Sequence, residues 1–269
     1  MGNLFCKDRN TYEKITYLSK SYSSNVYLTN SKRKRGKKRK VCKEFKVLID
    51  IHNPNFADII HFLKTNPHKN IIEIQEITYN FDKPILYKNI HLPSISIYME
   101  YIKNDLFEYH MIHNLTFEKK KKISHNIIEA VEYLHSNDII HGDLKLENMM
   151  IDNNDNVKLI DFEASVFTHS YIPNNSILKT TMDFLSPEKY FDQDIGFYND
   201  IWAIGLILFI LFEFELPFLC QDLINEKKTP HIAFQMKDNC FKDLILNMLN
   251  YDHKKRFTIK EVKEHVFWL

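Results

Sequence analysis

The residue types that do chemistry concentrate in one polar stretch and in a dipeptide that follows it. The stretch is His141–Asn148, which reads HGDLKLEN, and the dipeptide is Asp161-Phe162. An apolar pair, Ile139-Ile140, leads into the stretch, and the patterns of Met149–Ile151 and Val157–Ile160 predict two short strands joined by a turn. This loop, hairpin and loop would hold two carboxylates, a lysine and an asparagine near one point. A polar turn whose carboxylates cap backbone amides is the other interpretation.

The two motifs resemble those of the eukaryotic protein kinases, whose catalytic loop is H-R-D-L-x-x-x-N and whose metal loop is D-F-G. The resemblance implies ATP- and Mg²⁺-dependent transfer of the γ-phosphoryl group to Ser or Thr hydroxyls of protein substrates. This reaction needs positioning and charge neutralisation more than covalent help. By resemblance, Asp143 would accept the proton of the substrate hydroxyl, and Lys145 would neutralise the moving phosphoryl group. Asn148 and Asp161 would hold Mg²⁺ against the ATP phosphates.

Two positions of these motifs depart from the family pattern. Gly142 replaces the arginine of His-Arg-Asp, which in many members binds a phosphate on the activation segment, so we expect activity that needs no such phosphate. Glu163 replaces the glycine of D-F-G, which lets the loop flip between two states, so we expect a restricted flip. His141 and Phe162 would have structural roles.

Composition bounds the class of protein. The 269 residues are 44% hydrophobic, which suits one globular unit or two closely packed lobes with a real core. The formal net charge is +1, so the whole chain has no nucleic-acid signature, and we expect no specific nucleic-acid partner. Four cysteines without metal-ligand spacing favour a reducing compartment over zinc or a disulfide framework: Cys6, Cys42, Cys220 and Cys240.

No segment has the pattern of a secretory signal or of a membrane span. Met1–Tyr22 is polar throughout. The longest apolar run, Ile201–Phe212, is shorter than the roughly 20 residues that span a bilayer, and it predicts a buried core helix. We therefore expect an intracellular, cytoplasmic protein, while membrane association and a nuclear location stay open.

The first residues carry a candidate lipidation site. Met1–Lys7 comes close to the N-myristoylation pattern M-G-x-x-x-[ST], and an ordinary disordered terminus is the other interpretation. One acyl chain on Gly2 binds membranes only marginally, so a second signal would be needed. The basic run Lys32–Lys40 is best interpreted as a solvated loop between strands. It could also touch an anionic membrane, or form a nuclear-import or nucleic-acid patch.

A predicted hairpin near the amino terminus corresponds to the glycine-rich loop of the family, G-x-G-x-x-G-x-V. The three glycine positions fall on Ser19, Ser21 and Ser24, and Val26 takes the place of the valine over the adenine. Glycine lets the backbone approach phosphates closely. Serine offers an amide and a hydroxyl donor but makes a tight clasp on the phosphates harder.

The next predicted strand, Val41–Phe45, resembles the V-A-I-K strand. Lys43 would contact the α- and β-phosphates, Val41 would cover the adenine, and Asp58 on a predicted helix at 55–63 would pair with Lys43. The resemblance also assigns nucleotide contacts to the gatekeeper, the hinge, the acid at the ribose and one residue after the catalytic loop: Met99, Glu100, Ile102, Asp105 and Met150.

These assignments predict an α+β, bilobal, protein-kinase-like fold. A small N-terminal β-sheet lobe with one main helix would occupy 11–101, and a larger, mostly helical C-terminal lobe 102–269, after a lipidated or disordered terminus at 1–10. Further strands are predicted at 71–77 and 95–100, and further helices at 119–137, 241–249 and 259–266.

Several residues of the second lobe match further family motifs. Glu188 of Ser-Pro-Glu should pair with Arg256, and Asp200 should bind the backbone of the catalytic loop. Thr181 favours Ser or Thr over Tyr as the acceptor. Asp105 and Glu147 occupy places where kinases that prefer basic peptides hold acids, although two surface acids are the plainer interpretation.

The departures from the pattern keep other functions open. A pseudokinase that serves as a nucleotide-binding or protein-binding scaffold is the alternative, because the loop glycines are missing and because of Glu163 and Asp58. Phosphorylation of a small molecule or a lipid is a weaker possibility, because the motifs around Glu188, Asp200 and Arg256 are typical of protein kinases.

Overall fold

The computed structural model describes residues 12–21, 23–31, 39–45, 53, 55–87, 90–169, 182–191, 195–226, 228–229 and 231–269. The chain divides into two compact units, the first made of 1–51 and 73–101 and the second of 52–72 and 102–269. The predictions for Gly2, for most of the basic run and for Thr181 lie outside the described residues.

The first unit contains a five-stranded antiparallel sheet. Its spatial order is β1-β2-β3-β5-β4. The strands are β1 Tyr12–Lys20, β2 Ser24–Ser31, β3 Arg39–Phe45, β4 Ile74–Tyr87 and β5 Ile90–Glu100. The predicted β1–β2 hairpin is confirmed. The prediction that β4 starts at Ile71 is wrong, because Ile71 instead forms a single bridge with Leu159 of the second unit, to which it also belongs.

Tyr12 of β1 contacts side chains of three other strands of this sheet, β3, β4 and β5. Its ring stacks on Tyr98 of β5 with centroids 4.2 Å apart, and its hydroxyl donates to Glu76 of β4 at 2.6 Å. Lys40 of β3 donates to the same hydroxyl at 2.9 Å. Because β1 is an edge strand, these long-range contacts attach it to strands beyond its neighbour β2.

The second unit is mostly helical. Its helices are α1 Phe56–Thr65, α2 Leu106–Ile112, α3 Phe117–His135, α4 Pro187–Phe191, α5 Phe197–Glu213, α6 Cys220–Glu226, α7 Asn239–Met248 and α8 Ile259–Lys263. The apolar run predicted as a core helix lies in α5, which is buried along nearly its whole length. In α3 the apolar residues recur at helical spacing and are buried: Ile123, Ile127, Val131 and Leu134.

Short strands connect these helices to the polar loops. They are β6 Asn104–Asp105, β7 Ile139–Ile140, β8 Met149–Ile151, β9 Val157–Leu159 and β10 Val166–Phe167. The predicted β8–β9 hairpin is confirmed, and β10 pairs antiparallel with β7. The loop at 141–148 thus lies between two largely buried strands, and Asp161 lies two residues after the end of β9.

The segment 52–72 packs with the second unit, although the predicted lobe ranges assigned it to the first. The reason is a set of amide hydrogen bonds: Asn70 donates to Val157 O at 2.9 Å, and Asn53 bonds carbonyls beyond Asp161. The ranges 11–101 and 102–269 otherwise stay a prediction.

The predicted pair of Glu188 and Arg256 is confirmed. The two side chains are buried and form two parallel hydrogen bonds, from Nη1 to Oε1 at 2.7 Å and from Nη2 to Oε2 at 3.1 Å. The guanidinium also donates to the carbonyls of Tyr198 and Asn250. A buried ion pair is tolerated when such additional bonds satisfy its remaining groups.

Within the described residues, no helix is both long enough and apolar enough to cross a bilayer. In the same part of the chain, Cys42 and Cys240 are free thiols.

Candidate functional site

His141 joins the two polar loops that flank the β8–β9 hairpin. It is fully buried; its Nε2 donates to Ile160 O at 3.1 Å, and its Nδ1 accepts from Asp143 N at 3.3 Å. The ring also packs against Phe162, with centroids 5.1 Å apart.

Asp200, in the first turn of α5, binds the backbone of the loop at 141–148. Its Oδ2 accepts from His141 N at 2.8 Å and from His135 Nε2 at 3.0 Å, and its Oδ1 accepts from Gly142 N at 3.0 Å. Burial would raise the pKa of Asp200, but the bonds from His135 and Gly142 hold the pKa below its ordinary value of 3.8. The predicted contact of Asp200 with the loop backbone is confirmed.

Three of the residues predicted to act in catalysis meet at one point. Lys145 Nζ lies 3.2 Å from Asp143 Oδ2, and Asn148 Nδ2 donates to the same oxygen at 3.0 Å and to Asp143 O at 2.8 Å. Asn148 is buried, while Asp143 and Lys145 are partly exposed. A carboxylate held by an ammonium and an amide can accept a proton and can bind a hydroxyl in a fixed direction.

Asp161 lies next to this cluster. The amide of the preceding residue, Ile160, donates to Asn148 O at 2.9 Å. Asp161 has a φ of +63°, and its Oδ1 accepts from Glu163 N at 3.4 Å. Because the side-chain nitrogen of Asn148 donates to Asp143, the side-chain oxygen Oδ1 is the other polar atom of this side chain. Among the described residues no three His, Cys, Asp or Glu side chains form a metal cluster.

Asn53 and Asn55, which the sequence analysis did not identify, hold the backbone after Asp161. Asn53 Nδ2 donates to Glu163 O at 3.0 Å and to Ser165 O at 2.7 Å. Asn55 Oδ1 accepts from Phe167 N at 3.1 Å. No motif signals these contacts, since two asparagines before a helix are also ordinary capping residues.

Lys189 of α4 is a third residue that no motif indicated. Its Nζ donates to Gly142 O at 2.7 Å. A small open cavity adjoins it, with walls that include Gly142, Asp143, Leu185 and Ala203.

The first unit carries the residues predicted to contact the nucleotide base and Lys43. Val26 of β2 pairs with Lys43 of β3. Val41, two residues before Lys43 on β3, pairs with Met99 of β5. Directly opposed residues and residues two apart lie on the same face of a sheet. The four side chains therefore share one sheet face.

The serines at the predicted glycine positions bond one another. Ser21 N donates to Ser24 O at 2.9 Å, and Ser24 N donates to Ser21 Oγ at 2.9 Å. The Oγ of Ser21 also lies 3.0 Å from the hydroxyls of Ser23 and Ser24. Ser19 lies on β1 opposite Val26. The amides of Ser21 and Ser24 are thus committed within the turn.

Other residues predicted to bind nucleotide have local structural contacts. Glu100 Oε1 accepts from Glu73 N at 2.9 Å, and Asp105 Oδ1 accepts from Glu108 N at 2.8 Å as the N-cap of α2. Met150 pairs with Asp105 across β6 and β8.

The remaining two predicted nucleotide residues lie in the second unit. Ile102 is partly buried and begins the longer segment of that unit, 102–269, and Asp58 is exposed in the first turn of α1. The pairing of Asp58 with Lys43 stays a prediction.

Comparison with known proteins gives one family. The protein kinase domain model matches residues 14–268. The chain is 34% identical over 79% of its length to the serine/threonine-protein kinase ppk6 of Schizosaccharomyces pombe, and 31% identical over 77% of its length to the serine/threonine-protein kinase SIK2 of Gallus gallus. It is 32% identical over 67% of its length to the serine/threonine protein kinase OSK3 of Oryza sativa. The matches cover only 26%, 25% and 37% of those proteins.

Proposed function

Because the chain belongs to the protein kinase domain family, we propose that it transfers the γ-phosphoryl group of ATP to Ser or Thr hydroxyls of protein substrates. The observation that carries this proposal is the convergence of Asp143, Lys145 and Asn148, with Asp161 beside them. Phosphoryl transfer needs charge and positioning of this kind rather than a covalent intermediate.

In the proposed reaction the substrate oxygen bonds to the γ-phosphorus while the bond from that phosphorus to the bridging oxygen breaks. The hydroxyl proton passes to the carboxylate of Asp143, and ADP leaves with the bonding electron pair. Lys145, 3.2 Å from that carboxylate, neutralises charge on the moving group. Asn148 keeps Asp143 in one orientation through its two hydrogen bonds.

The donor set suits a magnesium ion. The carboxylate of Asp161 and the amide oxygen of Asn148 are hard oxygen ligands, and Mg²⁺ is commonly held by one or two such groups together with phosphates and water. When bound, the ion would supply charge neutralisation to the phosphates. Asn53 and Asn55 would then support Asp161 by holding the backbone that follows it.

For the nucleotide, we propose the sheet face that carries Val26, Val41, Lys43 and Met99. Three apolar side chains on one face suit the adenine ring, and Lys43 offers an ammonium group for the α- and β-phosphates.

One observation favours the alternative, a pseudokinase that acts as a scaffold. The amides of Ser21 and Ser24 bond within their own turn, so they offer a phosphate fewer donors than a glycine-rich loop. We expect weak ATP binding, with a KM at the upper end of the usual range of about 1 μM to 1 mM.

The finer substrate and membrane predictions remain proposals. Glu147 is exposed and could attract basic peptides, while one oxygen of Asp105 caps α2. Acylation of Gly2, with the basic run Lys32–Lys40 as the second signal, would attach the chain to membranes. An intact-mass measurement that finds only unmodified Gly2 would exclude it.

A transfer assay tests the main proposal. The protein is incubated with γ-labelled ATP, Mg²⁺ and a basic acceptor protein, and label on Ser or Thr of the acceptor is expected. Asp143→Asn should abolish it. Asp155→Asn is the matched control, because Asp155 lies in the β8–β9 turn at a φ of +58° that asparagine tolerates. Stabilisation by Mg-ATP without any transfer would support the scaffold instead.

A further inference from the structure

The backbone that leads into the Asp143 side chain is held by three other side chains. Lys189 Nζ donates to Gly142 O at 2.7 Å. The N–H of the same peptide group, that of Asp143, donates to His141 Nδ1 at 3.3 Å. One peptide earlier, Gly142 N donates to Asp200 Oδ1 at 3.0 Å. The Gly142–Asp143 peptide group is therefore bonded at both of its polar atoms.

The bond from Lys189 matters because of the residue that it holds. Gly142 has a φ of +80° and no side chain, so the local backbone has more conformational freedom than any other residue would allow. A charge-assisted bond from an ammonium group to its carbonyl is roughly twice as strong as a neutral one. This bond removes freedom at the residue directly before Asp143.

The charges around Lys189 come from three elements. Asp143 of the loop, Asp200 of α5 and Glu188 of α4 all act on it. Glu188 is already paired with Arg256, and Asp200 already accepts three hydrogen bonds, two of them from His141 N and Gly142 N. Burial lowers the pKa of Lys189 below its ordinary value of 10.5, although the three carboxylates oppose this shift.

We propose that Lys189 is a positioning residue for phosphoryl transfer, whose ammonium group holds the Gly142 carbonyl and thereby fixes the direction of the Asp143 carboxylate. The inference rests on the proposed function, in which Asp143 accepts the substrate proton. A displacement of about 1 Å in a reacting group can lower a rate by on the order of 100-fold. Lys189 acts through the backbone and does not touch the reacting atoms.

Two substitutions test the inference. Lys189→Met removes the charge at similar length, and we expect kcat to fall about 10- to 100-fold while the KM for ATP stays within about twofold. Lys189→Arg keeps a permanent charge and N–H donors for the Gly142 carbonyl. It should restore most of the wild-type kcat. Lys260→Met is the control, because Lys260 is exposed on α8.

The pH profile separates this role from simple packing. Wild-type kcat should decline on the alkaline side as Lys189 loses its proton, beginning below pH 10.5. In Lys189→Arg the decline should move to higher pH, because the guanidinium group stays protonated. Identical alkaline profiles would overturn the inference, and this comparison needs only the arginine variant if the methionine variant does not fold.

Two further outcomes are decisive. A folded Lys189→Met variant with wild-type kcat would overturn the role of Lys189 and leave the proposed function intact. If the wild type transfers no phosphate, the proposed function fails. Amide hydrogen exchange at residues 141–143 then tests whether Lys189 restrains the backbone at Gly142. We expect faster exchange in Lys189→Met, and unchanged exchange would refute the positioning role.

Discussion

Replacing Gly142 by alanine should damage both stability and activity. At a φ of +80° a side chain costs about 1–2 kcal/mol. An added Cβ would lie 2.6 Å from Ala164 O and 3.3 Å from Ala164 C, and these are backbone atoms that cannot rotate away. Overpacking of this kind costs about 1–3 kcal/mol. The two contributions together give roughly 3 kcal/mol, which corresponds to a fall in Tm of about 6–12 °C for a chain of this size.

Thermal unfolding of matched variants measures this cost. Asp138→Ala is the control for backbone strain alone, since Asp138 is exposed and has a φ of +58°, and we expect a loss of about 1 kcal/mol. Gly142→Asn separates the two causes, because asparagine tolerates a positive φ but still carries a Cβ. It should be nearly as unstable as Gly142→Ala if the contact with Ala164 dominates.

Activity should fall together with stability, because Ala164 belongs to the loop that carries Asp161. A shift of its carbonyl moves that loop, so we expect a lower kcat even well below the Tm. A Gly142→Ala variant with wild-type Tm and wild-type kcat would refute this reasoning. Restoring the family's arginine at this position should also destabilise the protein, since its Cβ meets the same carbonyl.

Three further perturbations follow from buried polar contacts. Arg256→Met leaves the carboxylate of Glu188 buried without its partner and should cost about 3–5 kcal/mol in urea unfolding; a loss under 1 kcal/mol would contradict the buried pair. Asn53→Ala removes the donor to two carbonyls beyond Asp161, so we expect the free energy of unfolding to fall by about 1–3 kcal/mol. Amide hydrogen exchange at 163–167 should become faster, and unchanged exchange would contradict a role of Asn53 in holding this backbone. The pKa of Asp200 is lower in the folded than in the unfolded chain, so the ionised carboxylate stabilises the fold above pH 3.8 and this stabilisation is lost as the pH falls through the folded pKa. In Asp200→Asn the free energy of unfolding should therefore depend less on pH in the acid range.

The sequence was sufficient for the features that depend on local pattern. The helical spacing of apolar residues in α3, the apolar run in α5 and the β8–β9 hairpin after the loop at 141–148 all follow from the apolar pattern. The contacts of Asp200 and Arg256 were predictable from motif resemblance, because the residue types stand at the expected positions. The predicted start of β4 at Ile71 was wrong. Ile71 is apolar whether it belongs to the strand or pairs with Leu159, and only tertiary contacts decide between the two.

Contacts between side chains and backbone carbonyls were not predictable from residue type. Lys189 and Asn53 are ordinary polar residues in sequence, and their bonds depend on where distant loops lie. The serine turn is a related case. Serine at a glycine position predicts reduced phosphate contact, but the mutual bonding of Ser21 and Ser24 depends on the turn geometry.

The most direct test of the account measures the mass of a Ser- or Thr-containing acceptor peptide after incubation with Mg-ATP and excess protein. The account predicts the gain of one phosphoryl group with wild type and with Asp155→Asn, and no gain with folded Asp143→Asn. Equal phosphorylation by Asp143→Asn would contradict the role of Asp143. An acceptor left unmodified by the wild type, across a panel of basic, acidic and neutral peptides, would contradict the proposed transfer.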